Sequence, residues 1–300
     1  MRNAFIEELV SLARINPQIA LVVGDLGYSV VEPFADEFPE RFINAGVAEQ
    51  NMTGLAAGMA SEGYHVFTYS IANFPSFRCA EQIRNDIDYH DLSVTVVAVG
   101  GGLSYGALGY SHHAVQDYAL FRTFPNTLIA APGDPSEVRA CMRYLVSNPG
   151  PSYLRLGKAG EPNFHDNIPL VEPGVWLKYK EGKDTNGAIL STGATMSLAS
   201  EWSNDIRYKG YELFSMPLWS MSSKLDQLDI LRKKNEIITI EDHLQDGGFG
   251  SWMLEANSLL DNKLNSIKAN IKTIALSSEV CGTVGSQSTL NKMGGIVPES

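Results

Sequence analysis

Cysteine is scarce in this chain. It has three cysteines in 300 residues, Cys79, Cys141 and Cys281, and their spacing does not match a metal site. So few, so widely separated cysteines argue against a disulfide scaffold or a zinc module. They indicate reduced thiols buried as small apolar groups, and therefore a cytoplasmic protein.

Long apolar runs and basic clusters are also lacking. No run approaches the length of a membrane span, and Glu7 and Glu8 interrupt any apolar core that a secretory signal would need. We therefore expect neither a membrane partner nor a signal peptide. The chain carries 23 basic and 34 acidic residues, a formal net charge of −11, without a basic patch. Nucleic acid is an unlikely partner for such a chain, and the charge mainly aids solubility.

Apolar and charged residues alternate in a pattern that predicts strands and helices in turn. The 44% hydrophobic and 19% charged residues are ordinary for a globular protein, and 300 residues suffice for two domains. Alternating strands and helices predict the α/β class, with mainly parallel sheets flanked by helices. We predict two such domains, at 1–160 and 187–300, joined by a linker at 161–186. Predicted strands lie at 20–23, 65–69, 93–99, 126–131, 152–156, 188–194, 212–216, 236–240 and 271–275; predicted helices lie at 3–14, from 49, 75–89, from 134 and 250–260.

The most informative stretch is the start of the helix at Glu49. The apolar side chains Met52, Leu55, Ala56 and Met59 recur at helical spacing and predict a buried face. A carboxylate in the first turn is favoured by the helix dipole. On this local pattern alone, Glu49 is simply a good helix-start residue.

The wording around Glu49 supports a second interpretation. Residues 44–60 read Asn-Ala-Gly-Val-Ala-Glu-Gln-Asn-Met-x-Gly-x-Ala-Ala-Gly-Met-Ala. This resembles the pyrimidine-binding domain of transketolase-like enzymes, which depend on thiamine diphosphate. The resemblance implies that Glu49 is catalytic and hydrogen-bonds the aminopyrimidine ring of the cofactor. Sharing a proton there favours the imino tautomer, whose nitrogen can take the proton from the thiazolium carbon.

Three further residues are cofactor-binding candidates. Phe74 and Phe77 follow a predicted strand at i and i+3, a spacing that by itself favours a core role. The resemblance places Phe74 where the family stacks an aromatic ring on the pyrimidine, and leaves the role of Phe77 open. Asp25 lies in the loop after the first predicted strand, where open parallel sheets hold ligands.

A glycine-rich loop at 100–109, followed by Ser111, His112 and His113, resembles the family's Gly-x-x-Gly-Thr-His-Gln segment. His112 falls on the active-site histidine, which faces the substrate carbonyl and could stabilise an alkoxide or relay a proton. The alternative for His112 is an ordinary surface histidine. His113 is expected beside it on the substrate side.

Four positions bear on the substrate. The resemblance places Arg155 and Ser29 at the site where transketolases bind the sugar phosphate, a task that suits a guanidinium fork. Arg155 could instead pair with a carboxylate across the domain edge. Leu108 replaces the aspartate that recognises a donor hydroxyl, and Gly100 stands where the family often has a phosphate-binding histidine. These departures predict a donor other than the usual ketose phosphate, either a different ketose or a 2-oxo acid.

The resemblance covers nearly the whole chain but only the last half of a full transketolase. The pyrophosphate domain, with its Gly-Asp-Gly motif and later asparagines, is missing, and Gly24-Asp25-Leu26 is not a substitute. We therefore expect a split enzyme. Mg²⁺ or Ca²⁺, bound through the diphosphate, should be held by an N-terminal partner subunit and not by this chain. Self-association is expected to give a heterotetramer.

The segment 241–251 resembles the hallmark of the transketolase C-terminal domain. His243 there, next to acidic residues, has the look of a catalytic pair, although in the family this domain mainly supports the dimer.

The leading functional hypothesis is a subunit that transfers a two-carbon ketol or acyl unit to a sugar or aldehyde. The runner-up is a beta-type subunit for 2-oxo acid decarboxylation and acyl transfer. A non-catalytic scaffold is the third hypothesis, which the joint retention of Glu49, Phe74 and His112 argues against.

Overall fold

The chain folds into two β-sheets with helices packed against them. The computed structural model describes residues 1–158, 160–259 and 269–298. The strands are β1 (Ile19–Val23), β2 (Phe42–Asn44), β3 (His65–Ile71), β4 (Val94–Val99), β5 (Leu128–Ala130), β6 (Ser152–Leu156), β7 (Leu177–Lys180), β8 (Asp184–Ser191), β9 (Tyr211–Ser215), β10 (Leu218–Trp219), β11 (Glu236–Leu244) and β12 (Asn270–Leu276). The α-helices are α1 (Arg2–Ile15), α2 (Glu32–Glu37), α3 (Glu49–Ser61), α4 (Asn73–Phe77), α5 (Ala80–Gln82), α6 (Asp117–Phe121), α7 (Pro135–Ser147), α8 (Met196–Trp202), α9 (Leu228–Leu231), α10 (Phe249–Ser258) and α11 (Gln287–Met293).

The first sheet has the order β10-β5-β6-β4-β3-β1-β2, and every neighbouring pair is parallel except β10 with β5. Alternate residues of β1 face opposite sides: Leu21 packs with α1 and α7, whereas Val22 packs with α3. Both faces are therefore covered, which explains why β4 is buried along its whole length.

The second sheet has the order β12-β11-β8-β9-β7, parallel except at β7. The predicted α/β class with two mainly parallel, helix-flanked sheets is therefore confirmed. The sheet boundaries differ from the predicted domain limits in two places. The edge strand β7 lies inside the predicted linker, and β10, which follows β9 along the chain, pairs with β5 of the first sheet. Such pairings depend on distant partners and leave no local sequence pattern.

Two helix starts and one helix interior show how far local pattern reaches. The predicted cap at Asp134 is present, because its side chain accepts a hydrogen bond from the Glu137 N–H at 2.7 Å. The predicted helix at 75–89 is instead broken into α4, α5 and a π-helical turn at Ile83–Asp88. The last predicted residue of the 250–260 helix lies outside the described residues. Within the described ranges, none of the helices combines the length and the apolar character that crossing a membrane requires.

A buried ion cluster joins the two halves of the chain. Arg155 on β6 donates from Nε to Asp117 Oδ2 at 2.6 Å and from Nη1 to Asp242 Oδ1 at 2.5 Å. Its Nη2 donates to the Ala114 carbonyl at 2.8 Å, and its guanidinium lies 4.4 Å from the centroid of the Tyr118 ring. All three charged groups are almost fully buried. Since Asp242 belongs to β11 of the second sheet, this arginine holds the sheets together.

We expect Arg155→Met to lower the free energy of unfolding by about 3–5 kcal/mol, because Asp117 and Asp242 would remain buried without their cation. Urea unfolding followed by circular dichroism measures this. The control is Arg14→Met, since Arg14 and Glu37 form an exposed pair and its loss should change little. Equal effects of the two substitutions would contradict a structural role for the cluster.

Candidate active site

Several candidate residues lie at one edge of the first sheet. Glu49 begins α3 shortly after β2, Phe74 lies in α4 after β3, and the loop with His112 follows β4. These strands are parallel and lie near one another in the order β4-β3-β1-β2. Their carboxyl ends therefore meet at the edge where ligands bind in open α/β sheets.

Glu49 is buried, with 4% of its surface exposed, although it begins a helix. Its Oε2 accepts a hydrogen bond from Arg78 Nη1 at 3.1 Å. The carboxylate borders a pocket lined by Val47, Ala48, Glu49, Gln50, Asn51 and Arg78. A residue that served only the helix dipole could have stayed in solvent, where it needs no partner. The burial instead points to a carboxylate held for a ligand.

Phe74 and His112 adjoin Glu49 through Arg78. The Arg78 guanidinium carbon lies 4.3 Å from the centroid of the Phe74 ring. The His112 ring meets Phe74 nearly edge-on, with the centroids 5.1 Å apart and the planes at 68°. The structure thus brings together Glu49, Phe74 and His112, and adds Arg78. Sequence reasoning missed Arg78; its signal was the i+4 spacing from Phe74.

The pKa of His112 is lowered by partial burial and, secondarily, by the positive charges of His113 and Arg78. A lowered pKa favours the neutral imidazole at neutral pH. Its Nδ1 lies 3.0 Å from the Ser111 hydroxyl, and Asn73 Nδ2 donates to the Ser111 carbonyl at 2.9 Å. The loop that carries His112 is therefore fastened to α4.

His113, Phe77 and Leu108 occupy different surroundings. His113 is buried, with Nε2 at 3.4 Å from the Gly106 carbonyl and its ring perpendicular to Tyr110. Phe77 and Leu108 are exposed over 46% and 58% of their surfaces. They face solvent at the same edge, where a substrate could cover them.

Asp25 and Ser29 lie in the loop after β1, both with left-handed backbone (φ 55° and 63°). Asp25 Oδ1 accepts hydrogen bonds from Asn44 Nδ2 at 3.0 Å and from the Tyr28 hydroxyl at 3.1 Å, and these lower its pKa. The Ser29 N–H donates to Glu32 Oε1 at 2.7 Å. The loop orders itself through these contacts.

The start of that loop borders the Glu49 pocket. A Cβ added at Gly24 would lie 3.7 Å from Glu49 Cγ and 3.6 Å from the Ser70 hydroxyl. The buried Ser70 hydroxyl has no hydrogen-bond partner among the described residues. An unpaired buried hydroxyl beside a buried carboxylate is typical of a pocket that binds a polar ligand.

Arg155 does not join this group. Each of its guanidinium nitrogens donates to groups of the chain itself, chiefly Asp117, Asp242 and Ala114. The pair with Asp242 matches the alternative considered for this residue, an ion pair across the domain edge. His243 is likewise internal: it stacks on Tyr118 with centroids 5.3 Å apart, and its Nδ1 donates to the Leu244 carbonyl at 2.6 Å.

A second titratable cluster lies where α7 begins. Among the residues that the structure describes, Asp134, Glu137 and His165 form one group with oxygen and nitrogen atoms close enough to hold a metal ion. Asp134 Oδ2 already accepts three hydrogen bonds, from the backbone N–H groups of Phe164 and His165 and from His165 Nδ1. Hydrogen bonding to Asp134 raises the pKa of His165, and burial raises the pKa of Glu137 to about 7.

This cluster predicts that the chain loses stability as pH rises. Both groups bind protons more tightly when folded, so their contribution is complete below their unfolded pKa values and disappears as pH passes the folded ones. Glu137→Gln should reduce the loss of unfolding free energy between about pH 5 and pH 8 by something on the order of 2 kcal/mol. Glu241, whose pKa burial raises to about 8, adds a similar slope to both proteins, so the difference between them is the quantity to measure.

Urea titrations across this pH range provide the measurement. Glu40→Gln, which removes an exposed carboxyl, is the control and should leave the slope of the natural sequence. A Glu137→Gln variant with an unchanged slope would show that the proton does not reside in this cluster.

Comparison with known proteins gives consistent matches. The family profile described as "Transketolase, pyrimidine binding domain" matches residues 1–160. The chain is 34% identical to a subunit of apulose-4-phosphate transketolase from Phocaeicola vulgatus over 263 residues, 86% of this chain and 83% of that protein. It is 32% identical to the putative transketolase C-terminal section of Methanocaldococcus jannaschii, over 100% of this chain and 93% of that one.

Solved structures agree with the sequence matches. A structure titled "Split gene transketolase, inactive beta4 tetramer" superposes with a TM-score of 0.82 at 30% identity, covering 99% of this chain and 93% of that chain. Transketolase from Leishmania mexicana superposes with a TM-score of 0.77 at 20% identity, and the match spans only 43% of its chain. The second likeness concerns the fold alone.

Proposed function

The chain belongs to the transketolase family, and we propose that it is the C-terminal subunit of a split, thiamine-diphosphate-dependent enzyme that transfers a two-carbon ketol unit. The observation that carries this proposal is the buried Glu49 carboxylate, which shares a pocket with Phe74 and borders His112 through that ring. A scaffold would have no need to keep a carboxylate buried at this edge of the sheet.

The residues present fit an aminopyrimidine ring. Its flat face suits the half-buried Phe74 ring, and its ring nitrogen suits the Glu49 carboxylate. The unpaired Ser70 hydroxyl nearby is a further polar group without a partner in the described protein. When bound, thiamine diphosphate supplies an acidic carbon that becomes the nucleophile toward a substrate carbonyl.

Each residue then has a distinct task. Glu49 holds the proton shared with the pyrimidine nitrogen, and Phe74 fixes the plane of the ring. His112, whose lowered pKa keeps it neutral, gives or takes a proton at the substrate oxygen. Leu108 and Phe77, exposed at the same edge, are proposed to contact the substrate or the remainder of the cofactor.

Two further polar residues complete the proposed rim. Asp25, whose carboxylate is held by Asn44 and Tyr28, is proposed to face the polar part of the ligand. Ser29 and the buried His113 are kept as groups on the substrate side. Arg155, with its nitrogens committed inside the protein, is proposed to act on the site only by holding the two sheets together.

The partner is proposed from what the sequence does not contain. The chain has no Gly-Asp-Gly motif for the diphosphate, so we assign the diphosphate and its Mg²⁺ or Ca²⁺ to an N-terminal partner subunit, in a heterotetramer. The matched structure of a split-gene transketolase is described as an inactive beta4 tetramer, which supports a requirement for a second kind of chain.

The substrate class follows from the relatives. Two of them are named as subunits of apulose-4-phosphate transketolase, which makes a branched ketose phosphate the first donor to test. Leu108, an apolar side chain where the family places an aspartate, fits a donor other than the usual one. Parallel assays with a ketose phosphate and with a 2-oxo acid separate this proposal from 2-oxo acid decarboxylation.

We expect the isolated chain to show no turnover and to bind thiamine diphosphate poorly, because most of the negative charge of the cofactor would remain unpaired. Isothermal titration with cofactor and Mg²⁺, first without and then with the partner subunit, measures this. Submicromolar binding by this chain alone would remove the basis for a split enzyme.

We expect Glu49→Gln to reduce the rate of the reconstituted enzyme by about 10²–10⁴-fold, because the amide is nearly isosteric but cannot hold the shared proton. NMR measurement of exchange at the thiazolium C2 proton tests the step directly. Glu62→Gln, an exposed glutamate at the end of the same helix, is the control and should exchange normally. Normal exchange in Glu49→Gln would leave Glu49 as a helix-start residue and contradict the proposed function.

A further inference from the structure

Arg78 follows Phe74 by one helical turn. It is the residue after α4, still in helical conformation, and stands at i+4 from Phe74. Side chains on a helix lean toward its N-terminus, so the side chain at i+4 extends back over the one at i. This local geometry accounts for the guanidinium carbon lying 4.3 Å from the Phe74 ring centroid.

The same guanidinium reaches Glu49 on a different helix. Its Nη1 donates to Glu49 Oε2 at 3.1 Å, while half of the Arg78 side chain remains exposed and Glu49 is buried. Arg78 thus contacts both groups that the proposed function assigns to the pyrimidine ring. A ring that must touch Phe74 and Glu49 together has to occupy the space between them, and that space contains the guanidinium.

The two groups also share their chemistry. A guanidinium is planar, stacks on aromatic faces and donates N–H bonds to a carboxylate in its own plane. An aminopyrimidine is planar, stacks on aromatic faces and shares an N–H with the same carboxylate. The pocket therefore satisfies one or the other, but not both at once.

We propose that Arg78 is a placeholder for the pyrimidine ring: it stacks on Phe74 and pairs with Glu49 in the cofactor-free chain, and cofactor binding must displace it. This inference rests on the proposed function of Glu49 and Phe74. While Arg78 is in place, the buried Glu49 has a cationic partner and does not collapse the pocket. When Arg78 leaves, the arginine is half exposed already and can be solvated at little cost.

The test compares Arg78→Gln with Arg84→Gln in the enzyme reconstituted with its partner. Arg84 lies on the next helical segment, is exposed and hydrogen-bonds Asn85, so its loss removes the same charge without touching Glu49 or Phe74. Isothermal titration with thiamine diphosphate and Mg²⁺ gives the dissociation constant. We expect Arg78→Gln to bind about 3- to 10-fold more tightly than the natural sequence, the range expected from a partly exposed ion pair and one cation–π contact, and Arg84→Gln to bind as the natural sequence does.

Two further variants define the mechanism. Arg78→Lys keeps the charge but loses the flat stacking surface, so its affinity should fall between those of the natural sequence and Arg78→Gln. In a Glu49→Gln background, the gain from Arg78→Gln should shrink, because one of the two contacts that Arg78 makes has already been removed.

The outcomes separate this inference from the function beneath it. Unchanged or weaker binding by Arg78→Gln, or an equal gain in Arg84→Gln, overturns the placeholder while the cofactor assignment stands. If the natural sequence, reconstituted with its partner, binds no thiamine diphosphate, both proposals fall. Circular dichroism of each variant confirms that the fold is retained before the comparison is made.

Discussion

The guanidinium of Arg155 between Asp117 and Asp242 is the constraint on which the arrangement of the two halves depends. One cation buried with two carboxylates has a narrow set of acceptable geometries, because all of its nitrogens donate to groups inside the protein and the cluster is almost fully buried. The position of β11 relative to β6 is therefore fixed. Asp117 begins α6, which follows the loop carrying His112, so the cluster also anchors the far end of that loop.

The candidate site uses the opposite strategy. Its residues come from three loops at the carboxyl edge of a sheet whose strands are buried on both faces, so the backbone beneath them is rigid. On that base, the contacts between the side chains themselves are modest: one partly exposed ion pair, one guanidinium over a ring and one edge-on aromatic pair. A rigid frame with exchangeable side-chain contacts is well suited to admitting a ligand.

Local sequence rules predicted the parts of this molecule that local physics determines. Asp134 as a helix cap, the start of α3 at Glu49 and the apolar strand β4 each follow from a few neighbouring residues. The resemblance added Phe74 and His112, which the structure brings together, although their roles remain proposals. Arg78 was missed because its significance depends on Glu49, 29 residues earlier in the chain. The π-helical turn at Ile83–Asp88 and the Arg155 cluster were hidden for the same reason, since each depends on groups distant in sequence.

The short strand β10 has a consequence for any attempt to divide the chain. Leu218 and Trp219 come from the C-terminal half, yet they hydrogen-bond along β5 and complete the first sheet. A fragment ending near residue 160 would present β5 as a bare sheet edge, with its backbone donors and acceptors open to another molecule. The buried indole of Trp219, which packs against Tyr118, Phe249 and Trp252, would leave an apolar gap beside that edge. The two halves are thus a single unit of inheritance: a gene rearrangement that separated them would yield an N-terminal piece prone to pair with copies of itself.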